Sequence, residues 1–349
     1  MKRIREIDFI KTIAMLMIVS GHAGVKIVVY TAPVHVGLFF MCSGFLLKKT
    51  GVKETLINNI RKLYLPFVAF SFVFIFFHNI LVREGWLYTN IQHWYLVTEH
   101  ALLMDVTEPL LAPMWFVTAL FIASTIWTFA DLINKYLDPE LTMKPVCIRT
   151  ILLSIAAMIG LNFTMTSNTI LSCSLSQPQI LNVSMVASFM LELGYLLRKA
   201  YDKYGEKLAS CKLRYAMCGV LAWGGTLLIL NTRIGKELAH TANMRENQYC
   251  DFYLYVVLAV LTFVYLFILA SFLKRRSVFI MVIQAVSKHS FWIMALHMLV
   301  LDICETRFGI GHAGIRGYFV VFLGMSVPII LHISFQNIHK WKRRINVEI

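Results

Sequence analysis

The sequence predicts an all-α integral membrane protein, a polytopic bundle of about ten transmembrane helices. Hydrophobic residues make up 58% of the 349 positions and charged residues only 15%. Apolar runs of about 20 residues, the length that crosses a bilayer as a helix, recur along the whole chain. A soluble domain of this size could not bury so much apolar surface. The lipid bilayer is therefore the first partner that the sequence predicts.

Ten apolar runs define the predicted spans. In order they cover residues 9–30, 34–47, 63–82, 113–134, 147–166, 180–197, 214–231, 250–273, 286–304 and 315–336. No fixed-period repeat, low-complexity segment or Pro/Gly-rich linker divides the chain, so we predict a single membrane domain over residues 1–349. The seven cysteines include no CxxC pair, and we predict neither a disulfide framework nor a metal site.

The distribution of lysine and arginine predicts the orientation. With the N-terminus inside, 25 of the 33 basic residues fall at the inner ends of the ten spans, seven fall outside, and Lys11 lies within a helix. Such a bias follows the positive-inside rule and predicts that both termini are cytoplasmic. It also explains the formal net charge of +14 without a nucleic-acid partner.

Ionisable residues interrupt the first apolar run. Eleven residues at about 100° each make three turns plus about 20°, so Lys11 and His22 share one helix face, about 16 Å apart along the axis. Asp8 joins this stripe through its i,i+3 relation to Lys11. Charged groups cost several kcal/mol in hydrocarbon and persist where they face partners, water or substrate. We therefore predict that this stripe is functional.

Later spans add further candidates. His35 opens the second span, and the small residues Ser43 and Gly44 near its end are typical of close helix packing. Trp115, at the start of the fourth span, suits either the membrane interface or the wall of a pocket. Glu192 lies inside the sixth span. Such a carboxyl group either pairs, here with one of the histidines, or becomes neutral.

The ninth span carries His297 in its middle. A histidine at such a depth is either a hydrogen-bond partner between helices or a reactive group. His100 and Asp105 have the HxxxxD spacing of soluble-type glycerolipid acyltransferases, but the segment around them lacks the domain that such enzymes contain. We do not assign them a catalytic role.

Six stretches together resemble the membrane acyltransferase-3 family, nearest to its fucose 4-O-acetylase-like branch. They occur in the family's order: IDFIKTIAMLMIVSGH, VHVGLFFMCSGFLLKK, RKLYLPF, PMWFVTALF, LGYLLRK and SKHSFWIMALH. The resemblance implies a ten-helix enzyme of the bacterial inner membrane that moves an acyl group, often acetyl, from acyl-CoA to a hydroxyl of a cell-surface glycan or its lipid-linked precursor. Acyl-CoA is then the donor substrate, and no permanently bound cofactor is expected.

The family's motif residues map onto particular positions. Its basic residue and histidine, separated by ten positions, correspond to Lys11 and His22, and its second histidine corresponds to His35. Lys11 departs from the arginine that the family usually has, and a lysine cannot form a bidentate fork to phosphate. The usual proline is Gly37 here, and the frequent tyrosine is Met294.

Two functions from different classes follow. In the first, His22 or His35 is the general base of an O-acyltransferase, or carries the acyl group covalently. Lys11, Arg61 and Lys62 would attract the phosphates of CoA. The alternative is a membrane transporter that exports a glycan or small molecule, in which Asp8, Lys11, Glu192 and the histidines form a proton relay.

Overall fold

The computed structural model describes residues 3–25, 32–87, 94–106, 109–137, 145–162, 180–273, 277–310 and 315–345. Within these ranges the regular secondary structure is helical, apart from an isolated bridge between Asn243 and Gln248. Two 3-10 helices, Ala32–Val34 and Pro109–Met114, and a π-helical segment, Ile60–Tyr64, accompany the α-helices. The α-helices are α1 (Arg5–His22), α2 (His35–Phe45), α3 (Val52–Asn59), α4 (Leu65–Arg83), α5 (Trp94–Leu102), α6 (Trp115–Leu137), α7 (Pro145–Asn162), α8 (Ile180–Ser210), α9 (Lys212–Asn231), α10 (Arg233–Thr241), α11 (Phe252–Phe272), α12 (Val278–Lys288), α13 (Ser290–Phe308) and α14 (Ile315–Ile345).

The predicted class, an all-helical membrane protein, is confirmed. In the part of the chain that the structure describes, six helical stretches are long and apolar enough to cross a membrane. They are Val52–Arg83, Pro109–Leu137, Ile180–Lys207, Lys212–Asn231, Phe252–Phe272 and Ile315–Ile338. Helices α12 and α13 add a seventh if this pair, bent by 82°, is counted as one span. The count of ten and the cytoplasmic termini remain predictions.

The first two helices are shorter than the predicted spans. Helix α1 ends at His22 rather than at residue 30, and α2 contains only 11 residues. The end of α1 has a local cause, because Gly24 adopts the left-handed conformation with φ +65° that commonly terminates a helix. A helix needs about 20 residues to cross the hydrocarbon core, so α2 alone covers roughly half of it.

Helix α8 lies at the centre of the bundle and packs against α2, α6 and α7. Two glycines allow its closest crossing, with α2. A Cβ atom on Gly44 would lie 1.9 Å from the carbonyl oxygen of Leu191, and one on Gly194 would lie 2.0 Å from that of Met41. No side chain fits at either position. The prediction that small residues of the second span permit close helix packing is confirmed for Gly44.

A buried ion cluster connects α6, α7 and α8. Arg149 donates from Nε and Nη2 to the carboxylate of Glu192, at 2.8 and 3.0 Å, and from Nη1 to Asp131 at 2.6 Å. Trp127 Nε1 and Thr150 Oγ1 also donate to Glu192, at 2.8 and 2.9 Å. The predicted pairing of Glu192 with a histidine is therefore wrong. Arg149, assigned from the sequence to an inner helix end, is fully buried and supplies a two-pronged partner that a histidine cannot match.

The carboxylate of Asp8 has two hydrogen-bond partners outside the polar stripe of α1. It accepts hydrogen bonds from Arg3 Nε at 2.5 Å and from Ser287 Oγ of α12 at 2.6 Å. Thr12 Oγ1 continues this contact by donating to the carbonyl oxygen of Ile283 at 3.0 Å. Asp8 therefore attaches α1 to α12, and Lys11 lies on the next turn of the same helix.

Candidate active site

His22 and His35 lie at the facing ends of two short helices. His22 is the last residue of α1, and His35 is the first residue of α2, directly after the 3-10 helix Ala32–Val34. The chain leaves α1 through Ala23, whose amide donates to the carbonyl of Val19 at 2.9 Å, and through the left-handed Gly24. Because both helices end here, both imidazoles reach the same region of the bundle.

One cavity of about 320 Å³ is lined by both histidines. Its wall also contains Trp115, the first residue of α6, which is only 7% exposed. The structure thus brings together the two residues that the sequence nominated for catalysis and places Trp115 in the pocket wall. His22 is exposed, and His35 is partly exposed, so both imidazoles are accessible to a small molecule.

His297 of α13 lies beside His22. The centroids of the two rings are 5.3 Å apart, and His297 is completely buried. Its Nδ1 is 2.7 Å from the carbonyl oxygen of Ile293, which can only accept, so Nδ1 carries the proton. The other nitrogen, Nε2, is then an acceptor, and it is buried without a hydrogen-bond partner among the described residues. His297 therefore adds an imidazole of fixed orientation next to His22.

Two charged residues at this cavity were not found from the sequence. Arg245 and Glu246 lie in the short segment between α10 and α11 and line the cavity together with Asn243. The side-chain oxygen of Asn243 accepts from the backbone amides of Arg245 and Glu246, at 3.1 and 3.4 Å, which fixes the turn. Nothing in the sequence links this polar segment to His22, more than 200 positions earlier, so only the fold reveals it.

The other nominated support residues lie away from this cavity. Ser43 sits about two turns further along α2 than His35 and donates to the carbonyl of Phe39 at 2.9 Å. Asp8 and Glu192 are engaged in the contacts with Arg3 and Arg149 described above. None of the three lines the cavity of the histidines. Their positions favour roles in helix packing.

The residues predicted to bind the acyl-CoA donor lie in the first half of α1 and in the π-helical segment between α3 and α4. Lys11 is three turns before His22 on the same uninterrupted helix and is partly exposed. Arg61 and Lys62 are exposed in the π-helical segment. None of these three cations forms an ion pair with a residue that the structure describes.

Two further features bear on chemistry. His100 Nδ1 lies 2.8 Å from Asp105 Oδ2, so this pair does meet, but neither residue lines the cavity of His22 and His35. The searched ranges contain no group of three or more His, Cys, Asp or Glu side chains placed to hold a metal ion. The described geometry at the cavity is thus one of clustered imidazoles beside a charged turn.

Comparison with known families identifies the chain. The family described as "Acyltransferase domain", the acyltransferase-3 family, matches residues 4–334. No curated protein and no solved structure matches the chain. The family match covers all the residues around the histidine cavity and nearly all of the membrane helices. With its long apolar helices, the chain belongs to the acyltransferase-3 family and is a multi-pass membrane acyltransferase.

Proposed function

We propose that this protein is an O-acyltransferase, most simply an O-acetyltransferase, of the bacterial inner membrane. It transfers an acyl group from acyl-CoA to a hydroxyl of a cell-surface glycan or of its lipid-linked precursor. The observation that carries the proposal is that His22 and His35 line one cavity in a chain of this family, with His297 buried directly behind His22. Imidazole is the side chain best suited to proton transfer near neutral pH.

The proposed reaction needs one base and one acid. His22 or His35 removes the proton of the acceptor hydroxyl as its oxygen attacks the thioester carbonyl carbon. The tetrahedral intermediate then breaks its carbon–sulfur bond, and the leaving thiolate takes the proton back from the imidazolium. The products are the ester and free CoA. A route through an acyl-histidine uses the same groups in two transfers.

His297 has a positioning role in this mechanism. Its Nδ1 is tied to the backbone of its own helix, and its Nε2 faces no protein partner within the described ranges. A buried acceptor nitrogen beside His22 favours a His22 orientation that places an N–H group against it. Such an orientation leaves the other nitrogen of His22 unprotonated and available as the base.

The donor would reach this cavity from the cation-rich end of α1. A CoA molecule held through its phosphates near Lys11, Arg61 and Lys62 must extend about 16 Å to bring its thioester to His22, since His22 follows Lys11 by eleven positions at 1.5 Å each. These cations form no ion pair with any residue in the described ranges, which supports this assignment. The acceptor then enters at the opposite end, past Arg245 and Glu246.

A proton-relay transporter has less support. That function requires a proton relay that runs from Asp8, Lys11 and Glu192 to the histidines. The carboxylate of Glu192 is occupied by Arg149, Trp127 and Thr150, and that of Asp8 by Arg3 and Ser287. The described residues therefore offer no continuous chain of titratable groups between the two ends of the protein.

The proposal is tested with radiolabelled acetyl-CoA in membranes that contain the wild type, His22→Ala, His35→Ala or His297→Ala. Loss of a general base is expected to reduce label transfer to the envelope glycan by about 10²–10⁴-fold. His240→Ala is the matched control, because His240 is exposed on α10 and does not line the cavity. Expression is compared by immunoblot.

The control defines the meaning of each result. Transfer that is lost in His22→Ala or His35→Ala and retained in His240→Ala supports the proposal. If wild-type membranes transfer no label from any of several acyl-CoAs to their native glycans, or if both cavity variants remain fully active, the proposed function is wrong.

A further inference from the structure

A second cavity, of about 710 Å³, lies beside the first one at the same end of the bundle. It is formed by the end of α7, the end of α10 and residues 247–253, which lead into α11. The short segment between α10 and α11 contributes to both cavities: residues 242–246 line the histidine cavity, and residues 247–253 line the second one. The two cavities are therefore neighbours separated by a single turn of the chain.

That turn has a well-defined backbone. Asn243 and Gln248 form the isolated bridge, with reciprocal N–H to carbonyl hydrogen bonds of 3.0 Å each. Within the turn, Asn247 has a φ of +54°, a left-handed conformation that asparagine tolerates better than most residues. A rigid turn of this kind fixes the distance between the contents of the two cavities.

Two of the side chains that line the second cavity carry buried polar atoms without a partner among the described residues. The Asn247 side chain donates from Nδ2 to the carbonyl oxygen of Gly160 at 2.9 Å, but its Oδ1 is buried without a hydrogen-bond partner within the described ranges. The buried hydroxyl of Tyr249 also has no such partner. Most buried polar side-chain atoms in proteins are hydrogen-bonded, so these two atoms at the wall of the cavity are exceptions that a ligand's polar group would satisfy.

The lining also indicates the class of ligand. Aromatic side chains of Tyr249, Phe252 and Tyr253 stand beside the amides of Asn247 and Gln248. Aromatic faces combined with a few amide groups suit a ligand that has both C–H faces and hydroxyls. No lysine or arginine lines this cavity, which argues against the phosphates of CoA. A neutral sugar fits this chemistry best.

We propose that the second cavity binds a further sugar unit of the acceptor glycan while the acylated unit occupies the histidine cavity. This inference rests on the proposed function, because it assigns the neighbouring subsite of the same reaction. Its consequence is that the acceptor is an oligomeric or polymeric glycan that spans the turn between Asn243 and Gln248. A monosaccharide would occupy only one of the two cavities.

A native cysteine allows binding to be measured without any acyl transfer. Cys250 is exposed and lines the second cavity, whereas Cys218, on α9, is exposed and does not. The rate of maleimide modification at both thiols is followed by peptide mapping in wild-type membranes. The probes are the intact envelope glycan of the source cells and the same glycan hydrolysed to monosaccharides, at equal sugar concentration.

Protection of Cys250 by the intact glycan alone, with Cys218 unaffected, supports the inference. The Tyr249→Phe variant removes only the unpartnered hydroxyl, so no hydrogen bond within the described protein is lost. We expect it to weaken protection, and to raise the KM for the intact glycan, by about 2–10-fold, the value of one hydrogen bond. The kcat and the reaction with monosaccharides should not change.

The two proposals fail in different ways. If wild-type membranes transfer acyl groups but the intact glycan does not protect Cys250, or protects Tyr249→Phe equally well, the second subsite is wrong. If Cys250 is protected but no acyl group is transferred, the acyltransferase proposal fails and the glycan-binding cavity remains. Equal protection by monosaccharides overturns the requirement for an oligomeric acceptor.

Discussion

Replacing Glu192 by glutamine is expected to lower the free energy of unfolding by about 3 kcal/mol. The substitution removes the charge that faces Arg149, whose side chain is completely buried. Breaking a buried ion pair costs about 3–5 kcal/mol, because the remaining charge is left without compensation. We expect the lower end of this range, since Arg149 keeps its 2.6 Å contact with Asp131. At about 2 °C per kcal/mol for a large domain, the unfolding midpoint in detergent should fall by roughly 6 °C.

Two further variants make this test specific. Arg198→Gln breaks an i,i+4 pair with Asp202 in which the side chains are 24% and 53% exposed, and such pairs contribute only about 0.3–0.5 kcal/mol. The double variant Arg149→Met, Glu192→Leu removes both charges and should recover much of the lost stability. If Glu192→Gln lowers the midpoint no more than Arg198→Gln does, the cluster does not carry a desolvated ion pair and the reasoning fails.

Two more predictions concern packing and thiol chemistry. Gly44→Ala should lower the free energy of unfolding by at least about 1–3 kcal/mol, because its Cβ would collide with the backbone of Leu191. Gly224→Ala is the control and should be nearly neutral, because a Cβ there would have no atom within 4 Å. The thermal unfolding midpoints of both variants are compared, and equal midpoints would contradict the close crossing. Partial desolvation of the sulfur, with the nearby carboxylates of Glu237 and Asp251, raises the pKa of the exposed Cys250 thiol, so less thiolate is present at a given pH. Its alkylation by iodoacetamide, measured from pH 7 to 10, should therefore be slow and still rising above the ordinary pKa, and Glu237→Gln should speed it below that pH; an unchanged rate would refute this cause.

The sequence was informative where a single helix determines the outcome. The relation of Lys11 to His22 depends only on helical geometry, and α1 is indeed continuous between them. Gly44 could be recognised from the sequence, because a residue without a side chain lets a neighbouring helix approach closely, whichever helix that is. His22 and His35 were nominated because an ionisable group in an apolar run is costly wherever it lies.

The sequence was less informative where two distant segments meet. A carboxyl group such as that of Glu192 must find a partner, but its sequence neighbourhood does not say which, and Arg149 stood too close to a helix end to be recognised as buried. Arg245 and Glu246 appear as an ordinary polar connection until the fold places them at the cavity. The end of α1 was overestimated because hydropathy continues past Gly24, while backbone conformation decides where the helix stops.

The π-helical segment Ile60–Tyr64 determines where this helix best tolerates the deletion of one residue. Asn59 on α3 contacts Ser124, and the buried face of α4 begins at Phe67, eight residues later. In an ideal α-helix, eight residues would rotate these two contact faces apart by about 80°. A π turn holds one additional residue and removes about 100° of that rotation, which brings the faces back into line within about 20°. This turn therefore contains one residue more than is needed to align the two packing surfaces. Deleting one residue here would disturb those surfaces less than the same deletion in α6 or α8.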